Sequence, residues 1–135
     1  MEVVNAQEPE EPREVRLEVI IDWTPERIEK EIRDTFYFDP HTAIAIVKAE
    51  GGLNKEIQSH IVTNGIQEPS FCAFQIHEPS WMKKAKKLGY GDYKTNPASC
   101  IKMARYIYDN ATDRNGNRLY WNSWSAYKNG SYLGK

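Results

Sequence analysis

Apolar and polar residues alternate over one short stretch of the chain. Between Arg13 and Ile21, the residues Val15, Leu17, Val19 and Ile21 interleave with Glu14, Arg16 and Glu18, which predicts a strand over 13–21. Before it, residues 1–12 are acidic and punctuated by proline, the pattern of a disordered arm. After it the period lengthens. Ile28, Ile32 and Phe36 fall four apart behind Thr24-Pro25, a cap followed by a proline suited to the first helical position. Asp39-Pro40 repeats that signal and opens a second helix that runs to Glu50, where Gly51-Gly52 supplies the left-handed stop a helix end prefers. Residues 53–79 show no helical period and read as loops and short strands, with a turn at Asn64-Gly65 and a break at Glu68-Pro69. Ser80 is the expected cap of a basic helix, Trp81 to Leu88, closed by Gly89. Asn96-Pro97 opens another, with Cys100, Ile101, Ala104, Ile107 and Tyr108 as its stripe. A polar turn over Asp113–Asn117 leads to a last short helix, Trp121 to Tyr127. Helices flanking a small irregular strand region predict an α+β, mostly helical fold, with residues 13–135 as one domain.

Composition narrows the function classes. The chain has 135 residues, a net charge of −1 and 27% charged residues, an ordinary globular balance. Phosphate binding wants a clear basic excess, so nucleic acid is not the expected partner. Lys83, Lys84, Lys86 and Lys87 read as a solvated face of their helix. Eight Tyr, four Trp and four Phe would suit a sugar-stacking cleft, although core packing explains many of them. No apolar run reaches the length of a membrane span. Cys72 and Cys100 match no metal spacing and leave two readings open, a disulfide or two buried thiols. The three histidines, His41, His60 and His77, are isolated from one another in sequence. Asp113-x-Asn115-x-Asn117 begins like a calcium loop but lacks the glycine and the final glutamate, so neither metal nor cofactor is expected.

The sharpest chemical feature is Glu50. Stepping back by helical intervals gives Val47, Ile46 and Ala43, so the carboxylate shares the stripe of the core residues. A carboxyl held there loses hydration and its pKa rises, which suits a general acid near neutral pH. After it, in order, come Phe71-Cys72-Ala73-Phe74-Gln75-Ile76, then Asn96-Pro97-Ala98-Ser99-Cys100-Ile101, then Trp124-Ser125-Ala126-Tyr127-Lys128-Asn129-Gly130. This order resembles the lytic transglycosylase and goose-type lysozyme superfamily over roughly residues 25 to 132. That family has a helix ending in a catalytic Glu, a Gly-Leu-Met-Gln-like segment, an Asn-Ile-like helix and an Ala-Tyr-Asn-x-Gly-like motif.

The resemblance implies a lysozyme-like fold and cleavage of the β-1,4 bond between N-acetylmuramic acid and N-acetylglucosamine in peptidoglycan. Glu50 would be the acid/base, Gln75 a hydrogen-bond donor to an N-acetyl sugar, and Phe74 and Ile76 part of an apolar wall. Tyr127 would point its hydroxyl at the catalytic carboxyl, with Asn129 beside it and Trp124 and Trp121 as candidate sugar platforms. The chain departs from the family pattern at Gly51, where a Ser often stands, at Lys128 in place of Asn, and by one extra residue before Pro79-Ser80. A transglycosylase needs one carboxylate and a hydrolase a second, for which Glu56, Glu68 and Asp92 are the candidates. The lyase is the first reading, a hydrolytic lysozyme the second, and a non-catalytic glycan- or protein-binding module the competitor from another class. The resemblance implies a monomer acting outside the cytoplasm or as a phage lysis or tail protein.

Overall fold

The computed structural model describes residues 22–54 and 57–134, so the arm (1–12), the strand (13–21) and Glu56 lie outside the described residues. The architecture is α+β and mostly helical, with five α-helices and two small antiparallel strand pairs among those residues. Helix α1 is Pro25–Thr35; Thr24 caps it, its Oγ1 accepting from the Arg27 amide at 3.1 Å. The predicted stripe of Ile28, Ile32 and Phe36 is fully buried. Helix α2, Pro40–Glu50, is capped by Asp39, whose Oδ1 accepts from the Thr42 amide at 3.4 Å, and buries Ala43, Ile44, Ile46 and Val47.

The Asn64-Gly65 turn joins β1 (Val62–Thr63) to β2 (Ile66–Gln67), with φ of 55° and 79° at the two turn residues. Positive φ at both centres is the two-residue hairpin geometry that matches strand twist. A second pair, β3 (Ser70–Phe71) and β4 (Ile76–His77), turns over the four residues between them. Helix α3 is Glu78–Leu88 and α4 is Pro97–Asn110, the latter capped by Asn96 Oδ1 accepting from the Ala98 amide at 3.0 Å. The chain ends in a 3-10 turn (Tyr120–Ser123), helix α5 (Ser125–Lys128) and a second 3-10 turn (Ser131–Leu133).

Of the Gly51-Gly52 stop after α2, Gly52 takes the left-handed backbone (φ 83°) and Gly51 keeps a helical one. Two boundaries differ from the sequence reading. Helix α3 starts at Glu78, before the expected Trp81, with His77 as its cap residue. Pro79 in the first turn needs no amide partner there, and Ser80 hydrogen-bonds His77 Nδ1 at 2.8 Å rather than capping the helix. The last helix is split at Trp124, whose backbone is extended (φ −108°, ψ 129°). That break lets the buried indole Nε1 donate to the Phe74 carbonyl at 2.9 Å, satisfying a donor that would otherwise be stranded in the core.

Helix α1 packs on α2 and α4, α4 packs on the Tyr120–Ser123 turn, and the Ser131–Leu133 turn packs on α2. An aromatic cluster joins these layers, with Phe36 ring centroids 5.5 Å from Phe74 and 5.3 Å from Trp121. Cys72 and Cys100 are disulfide-bonded, Cα to Cα 6.3 Å, tying the β3–β4 turn to α4. No described helix is long and apolar enough to cross a membrane.

Candidate active site

Helix α2 ends on the floor of a cleft of about 560 Å³, and Glu50 is its last residue. Val47, Ile46 and Ala43 are fully buried, so the stripe they share carries the Glu50 carboxyl inward until it is half-buried at the edge of the core. Its Oε2 accepts a hydrogen bond from the Ala126 amide at 3.0 Å, at the start of α5. Burial pushes the carboxyl above its ordinary pKa. The Ala126 hydrogen bond opposes this, the negative charge of Glu68 adds to the rise, and the Ser125 hydroxyl works against it. The rise prevails, and the protonated form persists to higher pH than for a free glutamate.

Position 51 leaves no room for a side chain. A Cβ there would lie 2.7 Å from the Cys72 carbonyl oxygen and 3.0 Å from that of Ala73. The β3–β4 turn is pressed against the end of α2, so no serine fits after Glu50. That turn is itself held in an uncommon shape, with φ of 66° at Cys72 and 52° at Gln75. A left-handed non-glycine residue costs roughly 1–2 kcal/mol. The Gln75 amide donates to the Cys72 carbonyl at 2.9 Å, its side-chain Nε2 donates to the same oxygen at 2.9 Å, and the disulfide anchors Cys72.

The cleft gathers Glu50, Gln75, Trp124 and Asn129. Gln75 is half-buried, and Asn129 turns its Oδ1 to the Ser131 amide at 2.8 Å. Trp124 is 5% exposed, so it is a core residue with one edge at the cleft. Phe74 and Ile76, expected in the cleft wall, are core residues at 0% and 2% exposure. The tight turn between β3 and β4 aims Phe74 inward against Phe36 and Trp124 and leaves Gln75 on the cleft side, while Ile76 is buried in β4. Tyr127 does not line the cleft; its ring stacks on Tyr132 at 4.7 Å, and Glu50 is held from the neighbouring residues 125 and 126 instead. Trp121 belongs to the aromatic core.

Of the acids weighed as a second carboxylate, Glu68 lines the same cleft. Its amide donates to the Ile61 carbonyl at 2.8 Å, and its carbonyl accepts from Gln58 Nε2 at 3.1 Å and the Ser70 amide at 2.9 Å, so its backbone is fixed. Asp92 does not line the cleft; hydrogen bonds from Ser99 and Asn96 hold its carboxyl below the usual carboxylate range at the start of α4. Isolated in sequence, His60 and His77 both reach this cleft, as do Ser59 and Ser70. The hairpin that brings residues 58–61 beside 68–70 is the signal for Ser59, His60 and Ser70, since Asn64-Gly65 fixes which residues face each other, and His77 is placed by its pairing with Ser70 in β3–β4. The Ala126 amide has no such signal, because a backbone donor carries no residue type. Among the described residues no group of three or more His, Cys, Asp or Glu side chains could hold a metal ion. Compared with known protein families, curated proteins and solved structures, the chain matches none of them.

Proposed function

We propose that this protein cleaves the β-1,4 glycosidic bond between N-acetylmuramic acid and N-acetylglucosamine in peptidoglycan as a lytic transglycosylase, with Glu50 as its acid and base. The observation that carries the reading is the state of Glu50, a half-buried carboxyl on the floor of a cleft whose burial favours the protonated form. One oxygen is held by the Ala126 amide, which leaves Oε1 to carry the proton. In the reaction Oε1 protonates the glycosidic oxygen as the bond from C1 breaks, and the N-acetyl carbonyl oxygen of the muramic sugar meets the positive charge at C1. The Glu50 carboxylate then takes the proton of the sugar's C6 hydroxyl as O6 closes on C1. A 1,6-anhydro end forms, and Glu50 is again protonated. Gln75 and Asn129 supply amides to the N-acetyl sugars from the cleft wall. The wall-degrading activity and the disulfide between Cys72 and Cys100 both suit a site of action outside the cytoplasm.

A second reading has one observation in its favour. Glu68 faces the same cleft and its charge acts on Glu50, so the pair could divide the work of a hydrolase, Glu50 protonating the leaving oxygen while Glu68 accepts a proton from attacking water.

Mass spectrometry of the soluble products from purified peptidoglycan, with Glu50→Gln alongside, tests both. Anhydro-muropeptides that disappear in the variant, with turnover down about 10²–10⁴-fold, are expected. Reducing-end products in their place establish the hydrolase. Glycan that stays bound to both proteins and uncut by either makes the chain a binding module.

A further inference from the structure

Cys72 touches three parts of the packed side of the cleft without lining the cleft itself. Its amide donates to the Ile57 carbonyl at 2.8 Å, and its carbonyl accepts from the amide and from the side chain of Gln75, each at 2.9 Å. Ile57 and Gln75 both line the cleft. The same carbonyl oxygen lies 2.7 Å from where a Cβ on Gly51 would stand, so it also bounds the end of α2 one residue after Glu50. Cys72 makes these contacts with a φ of 66°. A side-chain-bearing residue adopts that backbone at a cost and keeps it only where its surroundings over-determine it. Its own side chain is bonded to Cys100 on α4, at a sequence separation of 28, and each cysteine is 1% exposed.

We propose that closing this disulfide assembles the cleft, with Cys72 as a positioning residue for Gln75 and for the helix end that carries Glu50, so that the dithiol form of the chain is folded but lacks a formed cleft. The effect on turnover rests on the reading of Glu50 above, whereas the hold on the turn does not. Without the bond, Cys72 is free to return to a negative φ. That rotation takes its carbonyl from both Gln75 donors and its amide from Ile57 together. Helices α1, α2 and α4 keep their own caps and their packing on one another, which do not pass through the disulfide. Closure is a thiol–disulfide exchange. The thiolate of one cysteine attacks glutathione disulfide and releases one glutathione thiolate, and the thiolate of the second cysteine then displaces the other. Two protein thiols are oxidised to one disulfide while one glutathione disulfide is reduced to two glutathiones. With both cysteines buried in the closed form, a reductant reaches them only after local opening. The chain therefore closes in an oxidising compartment and stays closed.

The test compares the full chain refolded under a reductant, in its dithiol form, with the same preparation closed by glutathione disulfide. Far-UV circular dichroism should be alike for the two. In the dithiol form, hydrogen exchange at the Cys72 and Gln75 amides is expected to quicken about tenfold or more relative to the Ile28 and Ile32 amides of α1. On peptidoglycan, kcat/KM is expected to fall about 10²-fold, the penalty for misplacing reacting groups by about 1 Å. That fall is shared between a higher KM as Gln75 is released and a lower kcat as Glu50 shifts. Cys72→Ser with Cys100→Ser should reproduce the dithiol values and not respond to glutathione disulfide. A chain that merely lost stability would show fewer active molecules at unchanged KM, or a lost helical signal, and either result overturns the positioning role. So does a dithiol form that keeps both the protection of the turn and its turnover. A closed form that cuts no peptidoglycan overturns the reading of Glu50, and the exchange comparison then decides the disulfide's hold on the turn by itself.

Discussion

On one side of the cleft, Glu50, Gln75 and Trp124 stand on fully buried neighbours. The β3–β4 turn abuts Gly51, the disulfide ties that turn to α4, and the Trp124 indole is bonded into the core. Another part of the cleft is lined by residues 57–61 and Glu68 at the base of the β1–β2 hairpin, where Ile61 of the lining is 62% exposed and Val62 and Ile66 of the hairpin itself are 61% and 69% exposed, with only a two-stranded ladder between them. A proton donor must be held to a fraction of an ångström and needs packed support, whereas a wall that admits a long polymer need only be the right shape. Local opening is expected to follow the same division, since segments with few buried contacts open at low free energy. The lining at the base of the hairpin is therefore where the cleft is expected to yield.

The largest test removes the staple from the packed wall. Cys72→Ala with Cys100→Ala frees a loop with a sequence separation of 28, and chain-entropy arguments put the loss at about 3–4 kcal/mol. Urea denaturation reads it directly. A loss below about 1 kcal/mol would mean that packing alone fixes the turn and that the two walls differ less than their construction suggests.

Gly51→Ala presses on the same wall from within. Gly51 has φ −109°, which alanine adopts freely, so the stiffer unfolded chain alone would favour the variant by about 0.4–1 kcal/mol. Against that, the new Cβ lies 2.7 Å from a backbone oxygen that cannot swing aside. Overpacking of this kind costs about 1–3 kcal/mol, so net destabilisation is expected and, under the proposed function, a lower kcat as Glu50 shifts. A more stable Gly51→Ala would show that the turn gives way, contrary to the packed-wall account.

How far all this could be read from the residues depends on what fixed each part. The helices announced themselves through caps and prolines, because Thr24-Pro25, Asp39-Pro40 and Asn96-Pro97 act locally and the chain beyond has little say. Glu50 was legible for the same reason, its stripe being set by helical geometry alone. The facing of Phe74 and Gln75 was not, since the turn between them has left-handed residues at Cys72 and Gln75 that neither composition nor period announces. The break at Trp124 depends on a carbonyl fifty residues earlier, and the hold on Glu50 on an amide seventy-six residues later. Contacts of that range have no signature in a local pattern. Glu68 sits between these cases. The hairpin that positions it was visible at Asn64-Gly65, but that it would line one cleft with Glu50 was not.

Glu68→Gln probes the link between the walls. Its negative charge raises the pKa of Glu50, so removing it lowers that pKa and deprotonates the acid at lower pH. The alkaline limb of kcat/KM, which reports loss of the protonated acid in the free enzyme, is expected to move to lower pH. In the lyase reading the plateau changes by less than about threefold, well short of the 10²–10⁴ that loss of a general base entails. A collapse of the plateau on that scale would instead make Glu68 the base of a hydrolase.

The smallest effect belongs to the exposed wall itself. Ile61 lines the cleft yet is 62% exposed, and its backbone carbonyl, not its side chain, holds the Glu68 amide. Ile61→Thr keeps the branch at Cβ that strands favour and leaves that hydrogen bond in place. Unfolding free energy should then stay within about 0.5 kcal/mol of the wild type, as for surface positions generally. Under the proposed function, glycan in the cleft would lose a modest apolar contact equally in the ground and transition states. At about 25 cal/mol per Å², covering some 20–30 Å² less of apolar surface raises KM by roughly two- to threefold and leaves kcat alone. A fall in kcat would mean that the hairpin positions the reacting bond, and the division of labour between the walls would have to be redrawn.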